Sequence, residues 1–239
     1  MLMCELHNPG TFKNLFKGFY SMFDDVQIKC NNKGMNLEVL NRSRTVLCIL
    51  NIGKNFFNMY SCEKEIILNV DIEELFKSLD SLYDDDRLII KTQKGQLELI
   101  FEGIAKRTFK LKLEDKNYKP IKMPNIENDR EKCELPFGLL NDGIIDADKL
   151  HQTVKLSLDS NYFKLDSKGG FLHMNVAYLH GEKIEGKYSS CFLTSYIIDC
   201  LKSNISDIVG LKIGKDAPLS IFFNSKHLSL EFMIAPRLG

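Results

Sequence analysis

The sequence predicts an α+β protein built twice over: two similar domains, each an antiparallel sheet carrying two helices, with the second domain shortened. Three observations carry this. Apolar residues recur at helical spacing in only a few short segments, while alternating strand-like runs are many. A helix followed by a hairpin with a Lys-Gly turn occurs twice, at Lys33-Gly34 and Lys168-Gly169, an offset of 135 residues. A second helix-plus-hairpin also occurs twice, with Leu75, Phe76 and Leu79 matching Ile197, Ile198 and Leu201 at an offset of 122. Few helices among many short strands define an α+β chain with antiparallel sheet.

The elements follow in order. Residues 9–23 read as an amphipathic helix, with Phe12, Leu15, Phe16, Phe19, Met22 and Phe23 on one face and Pro9 in the first turn. Strands at 26–30 and 35–40 flank the first Lys-Gly turn. The second helix, 71–83, starts at Asp71 with Glu74 three residues on, as in a capping box, and buries Ile72, Leu75, Phe76, Leu79 and Leu82. Strands at 87–91, 96–101 and 107–113 complete the first half. In the second half, 146–158 reads as a helix through Ala147, Leu150, Val154 and Leu158, followed by strands at 162–165 and 171–174. A fourth helix near 194–203 leads into strands at 210–213 and 219–223, and the chain closes on an alternating run from Leu228. The two offsets differ by 13 residues, so the second half is expected to lack that much between its helices.

Between the halves, Pro120 and Pro124 interrupt a stretch without clear period, which reads as an extended linker. The expected domains are therefore 1–113 and 128–239, joined by a linker at 114–127.

Composition bounds the function. The 239 residues carry 32 basic and 32 acidic side chains, a formal net charge of zero. That balance argues against a basic arm that coats nucleic acid by bulk charge, though not against one basic face. No apolar run approaches the roughly 20 residues of a membrane helix, and the first residues lack a signal-peptide pattern. Seven cysteines without a CxxC pair point to free thiols in a reducing, intracellular compartment. No phosphate-binding glycine loop or nucleophile elbow is present. The histidines lack zinc-ligand spacing, so no metal or cofactor is expected. Asp84-Asp85-Asp86 reads as a solvated turn. No nucleophile and base can be paired by spacing, and the chain reads as a non-enzyme.

Three features could do work. Lys13 and Lys17 project opposite the first helix's Phe stripe, Lys77 takes the same position on the second, and Lys155 and Lys202 are the candidates on the third and fourth. Glu73, Asp80, Asp148 and Asp199 share those polar faces. The linker displays Ile121 and Met123, and the C-terminal run leaves Pro236 and Leu238 for a partner.

The ending Phe232-Met-Ile-Ala-Pro-Arg-Leu238 and the stretch Leu40-Asn-Arg-Ser-Arg-Thr-Val-Leu-Cys-Ile-Leu50 resemble signatures of the archaeal and eukaryotic sliding clamps, the proliferating cell nuclear antigen (PCNA) family. Phe57–Cys62, the helix at 71–82, Asp216-Ala-Pro-Leu219 and the linker fit in order, so the resemblance spans nearly the whole chain. It implies a DNA sliding clamp, a processivity factor of replication and repair. Three two-domain subunits would form a ring around double-stranded DNA, gripped without sequence preference, with helices lining the hole. Polymerases, nucleases, ligases and the clamp loader would be tethered through peptides with an aromatic plug. The groove residues it implies are Leu40, Thr45 and Leu47 on the loop side, Ile121 and Met123 on the linker side, and Pro218, Met233, Ala235, Pro236 and Leu238 as floor and tail. Thr45 and Met233 stand where the family commonly has Val and often an aromatic residue. The subunit seam it implies pairs the strand holding Arg107, Phe109, Lys110 and Leu111 with one holding Val176 and Tyr178, the latter within the shortened stretch. Alternatives are a subunit of a heterotrimeric or checkpoint-type clamp, and a monomeric clamp-like polymerase accessory factor. The expected location is the nucleus of a eukaryote or the cytoplasm and nucleoid of an archaeon.

Overall fold

The computed structural model describes residues 1–115, 121 and 130–237. The chain divides into two compact units, one of residues 1–42, 48–121 and 224–230, the other of 43–47, 122–223 and 231–239. The expected linker at 114–127 lies mostly outside the described residues.

The first unit runs β1 (Leu2–Leu6), α1 (Gly10–Met22), β2 (Asp25–Asn31), β3 (Gly34–Leu40), β4 (Val46–Gly53), a single 3-10 turn, β5 (Met59–Cys62), β6 (Ile66–Asp71), α2 (Ile72–Asp80), β7 (Arg87–Gln93), β8 (Gln96–Glu102) and β9 (Lys106–Lys112). Val46 and Leu47 of β4 group with the second unit. One antiparallel sheet has the order β5-β1-β7-β8-β9, and a second contains β4-β3-β2-β6. Phe12, Leu15, Phe16 and Phe19 of α1 are buried, as their spacing predicts. Their rings meet edge-on or tilted at 5.1 and 5.5 Å between centroids, so the apolar stripe is also an aromatic ladder. The Asp71 carboxylate caps α2 by accepting from the Glu74 N–H at 2.8 Å, and Ile72, Leu75 and Leu79 face the core.

The second unit runs β10 (Arg130–Pro136), α3 (Phe137–Leu150), β11 (Thr153–Leu158), β12 (Tyr162–Lys168), β13 (His173–Leu179), β14 (Tyr188–Leu193), α4 (Thr194–Leu201), β15 (Ile208–Gly214), β16 (Leu219–Ser225) and β17 (Leu228–Ile234). Its sheets have the orders β13-β12-β11-β14 and β10-β15-β16-β17. The last residues of β16 and the first of β17 group with the first unit. In strand order β4 follows β17.

The repeat is visible in topology. The order β4-β3-β2-β6 matches β13-β12-β11-β14, and β1-β7-β8-β9 matches β10-β15-β16-β17. Among the described residues only β5 lacks a counterpart. From the start of α1 at Gly10 to that of α2 at Ile72 is 62 positions, and from α3 at Phe137 to α4 at Thr194 is 57, so the second half is 5 residues shorter there and not 13, and the difference lies with β5 and the turn before it. It does not shorten β13, which pairs with β12 along seven residues from Tyr162↔Leu179 to Lys168↔His173.

Three sequence expectations need correction. The helix read at 146–158 is instead α3, ending at Leu150, followed by β11. Val154, Leu156 and Leu158 alternate with exposed or half-exposed residues, which is strand periodicity, and the spacing of Val154 and Leu158 from Ala147 imitated a helix. The strand read at 171–174 begins at His173, leaving Phe171 and Leu172 exposed in the turn. The two Lys-Gly turns are not equivalent: Lys33-Gly34 closes β2 onto β3, whereas the matching hairpin of β11 and β12 turns at 159–161 and Lys168-Gly169 stands at the end of β12, so the offset of 135 is a chance match of turn residues.

Candidate functional site

The helix faces come first. Tyr20 of α1 stacks on Phe76 of α2 at 5.2 Å, so the two helices of the first unit pack together. Lys13 donates to the Asp80 carbonyl at 3.1 Å and pairs with its carboxylate at 3.0 Å. Lys77 pairs with Glu73 one turn back. Lys17 is exposed, and among the described residues it has no ion pair. In the second unit Lys202 pairs with Asp199 at 2.6 Å. Lys155 is not on a helix. It lies on β11 opposite Asp166, while the neighbouring Val154, Leu156, Leu165 and Ser167 form the other face of the sheet. Ser167 donates to the Ala147 carbonyl of α3, which fixes that other face as the helix side. Lys155 therefore points away from the helices. The cation α3 does carry is Lys149, paired with Asp146 at 2.7 Å, and the misplaced helix boundary concealed it. The last-turn position of a lysine would have found it once α3 was placed.

The tail and the turn after β3 come next. Thr45, Leu47, Pro218, Met233, Ala235 and Pro236 fall in the second unit, and Leu40 and Ile121 in the first. Met123 and Leu238 lie outside the described residues. Arg44 takes a left-handed backbone, φ 58°, and turns the chain sharply back into β4. The Ala235 N–H then donates to the Thr45 carbonyl at 2.8 Å, and Arg237 N–H to the Cys191 carbonyl at 2.8 Å. The Ser43 hydroxyl lies 2.7 Å from Thr45 Oγ1 and 3.3 Å from the Tyr196 phenol of α4. Hydrogen bonding to Ser43, and then Thr45, holds the Tyr196 phenol below its ordinary pKa. Tail, turn and helix are thus tied into one surface, with Thr45, Met233 and Pro236 half-buried, Ala235 exposed, and Leu47 buried at 3% exposure.

The third feature is a pair of edge strands. β9 ends the five-stranded sheet and β13 ends the four-stranded one. Each presents seven residues of backbone to a missing neighbour. Arg107 turns inward instead of toward the edge. Its guanidinium donates to the Ser81 carbonyl at 2.6 Å, pairs with buried Asp86 and lies 4.0 Å from the Tyr83 ring centroid. Asp86 also accepts from Tyr83 N–H at 2.8 Å. The acid run is therefore only partly a solvated turn, because its last carboxylate is a buried support for β9. Leu111 is buried, Phe109 half-buried and Lys110 exposed, the last pairing with Glu98 at 3.4 Å. On β13, Val176 and Tyr178 are half-buried, and the Tyr178 phenol donates to the Leu139 carbonyl at 2.8 Å. Sequence reasoning missed the apolar residues flanking these edges. Ile104 before β9, and Phe171, Leu172 and Leu179 around β13, are 104, 110, 62 and 74% exposed. Large apolar residues beside glycine-bearing turns, Gly103-Ile104 and Gly170-Phe171-Leu172, were the available signal.

Burial pushes the Cys4, Cys30, Cys133 and Cys200 thiols up, away from the reactive thiolate. Among the described residues, no three His, Cys, Asp or Glu side chains are grouped to hold a metal, and no helix is long and apolar enough to cross a membrane.

Two topologically matching units, each with two helices and antiparallel sheet, define the architecture of a DNA clamp. The comparisons agree. Residues 1–132 match the model of the proliferating cell nuclear antigen N-terminal domain. Across its full length the chain is 34% identical to the DNA polymerase sliding clamp of Methanothermobacter thermautotrophicus, covering 98% of that protein. It is 27% identical to the clamp of Thermococcus fumicolans, with 95% and 94% of the two chains covered. The crystal structure of PCNA from Thermococcus kodakaraensis shares the fold, with a TM-score of 0.92 at 22% identity over 99% of this chain and all of that one. The chain belongs to the PCNA family of DNA polymerase sliding clamps, a non-enzymatic family.

Proposed function

We propose that three copies of the chain close into a ring around duplex DNA, each lending β9 to the β13 of the next. The observation that carries this is the internal repeat. β9 corresponds to β17 and β13 to β4, and β17 and β4 are neighbours in strand order. Of the six strands that end a sheet, β9 and β13 are thus the two whose equivalents are neighbours of each other, and they are of equal length. Phe109, Lys110, Leu111, Val176 and Tyr178 belong to this seam, and exposed Ile104 and Leu179 border it. Arg107 supports it from within.

Lys13, Lys17, Lys77 and Lys202 face the duplex, with Lys149 added and Lys155 removed. Such contacts are sequence-independent and weaken with salt. Most of these lysines already have a carboxylate partner, which favours a loose grip suited to sliding. The surface of Thr45, Pro218, Met233, Ala235 and Pro236, with Leu47 beneath it and Leu40, Ile121, Met123 and Leu238 as its remaining members, receives aromatic-plug peptides of polymerases, nucleases, ligases and the loader. Micromolar affinity, about −8 kcal/mol, is expected. The protein works intracellularly, in keeping with its seven free thiols.

Light scattering at micromolar concentration tests the ring. A mass near three times 27.5 kDa is expected. A monomer would overturn the homotrimer, and a monomer that assembles only with other clamp chains would replace it with the heterotrimeric reading.

A further inference from the structure

Three turns of the first unit meet around an open cleft of about 340 Å³, lined by Asn32, Lys33, Gly53, Lys54, Asn55 and His227. Two backbone hydrogen bonds fasten them together. Lys54 N–H donates to the Lys33 carbonyl and Gly53 N–H to the His227 carbonyl, each at 2.8 Å. The Asn31 side chain accepts from Lys33 N–H at 2.8 Å and shapes the β2–β3 turn. Gly34 completes the construction. Its φ is 146°, and a Cβ there would lie 2.0 Å from the Ile52 carbonyl oxygen, so only glycine allows this turn to lie so close to β4.

The lining chemistry is one-sided. Lys33 and Lys54 bring ammonium groups, Asn32 and Asn55 bring amides, and His227 adds an imidazole. Ammonium groups are donors only. No carboxylate and no large apolar side chain lines the cleft. The contrast with the helices is informative. Lys13, Lys77, Lys149 and Lys202 are each ion-paired within the chain. Among the described residues Lys33 and Lys54 have no ion pair, although the fold draws their backbones together. Two lysines without an ion pair, on turns joined by a backbone hydrogen bond beside one concavity, attract a multivalent anion. The volume lies in the range of small-molecule sites.

We propose that this cleft binds a phosphoryl anion of about pyrophosphate size, held by Lys33 and Lys54 with the Asn32, Asn55 and His227 side chains as supporting donors. The phosphate can come from a free small polyphosphate or from a nucleic-acid backbone, and the chemistry of capture is the same. None of the helix lysines lines the site.

Titration calorimetry of the full chain with inorganic pyrophosphate tests it. Saturable one-site binding with a Kd below about 1 mM is expected. A Lys33→Gln/Lys54→Gln double variant should bind at least about tenfold more weakly, while Lys94→Gln, an exposed lysine on another turn, should leave affinity unchanged. All three replaced lysines are exposed, so folding is retained and melting temperatures serve as the check. Competition by a short DNA duplex that is lost in the double variant would assign the phosphate to a nucleic-acid backbone. Pyrophosphate binding without such competition would assign it to a small molecule. Absence of saturation up to about 1 mM, or equal weakening by Lys94→Gln, would overturn the proposal.

Discussion

Gly143 shows how one residue can set a surface far from it in sequence. It lies in α3 where a Cβ would stand 2.4 Å from the Tyr178 phenol oxygen and 3.3 Å from Leu165 Cδ2. The missing methyl lets the ring of an edge-strand tyrosine lie on the helix and donate to the Leu139 carbonyl. Gly143→Ala should gain up to about 1 kcal/mol of helix propensity. It should lose about 1–3 kcal/mol by overpacking and about 1 kcal/mol more with the displaced hydrogen bond. The expected outcome is a net loss of about 1–3 kcal/mol in urea denaturation, with unchanged stability as the contrary result. Residue-scale features of this kind were not legible in the sequence. A glycine inside a helical pattern announces a close approach without saying what approaches, and Tyr178 is 35 positions away. The inward turn of Arg107 was hidden for the same reason, since alternation assigns a face but not a buried partner such as Asp86.

At the scale of elements, legibility followed the strength of the amphipathic signal. Helices α1, α2 and α4 were readable because their apolar positions recur every three to four residues and their ends carry recognisable residues. Helix α3 was not. Its glycines at 138 and 143 and its aspartates weaken the pattern, and Val154 and Leu158 of β11 lie 7 and 11 residues from Ala147, distances that also fit a helix. That error moved a candidate cation from Lys149 to Lys155. The groove residues were legible only through the family resemblance, because nothing in periodicity brings Thr45 to Ala235. The Asp71 cap was legible from its spacing to Glu74, and its energy can be checked. Asp71 stands just before a nine-residue helix that holds Glu74 and whose first N–H groups need partners. Asp71→Ala should cost about 1 kcal/mol, and Asp71→Ser should restore most of it. Equal stability of all three chains in chemical denaturation would show that the cap is idle.

For the whole molecule the informative number is the charge balance of zero. It first suggests a protein indifferent to nucleic acid. The structure shows how the neutrality is distributed: Lys13, Lys77, Lys149 and Lys202 on the helices sit beside carboxylates, while exposed Ile104, Phe171, Leu172 and Leu179 flank β9 and β13. The edges are therefore where the isolated chain is least satisfied, since an open strand edge and its flanking apolar side chains both gain from a partner. Assembly through β9 and β13 would cover both. Leu179 discriminates between this and ordinary surface exposure. Its side chain is 74% exposed in the single chain, so Leu179→Asp removes little packing and should change stability by less than about 0.5 kcal/mol. In an assembled seam the same aspartate would be buried beside an apolar neighbour, where an unpaired charge is strongly disfavoured. The variant should therefore melt like the parent chain at low concentration, yet sediment as a monomer where the parent, on the proposed ring, is expected to sediment as a trimer. A variant that assembles as well as the parent would remove this end of β13 from the seam.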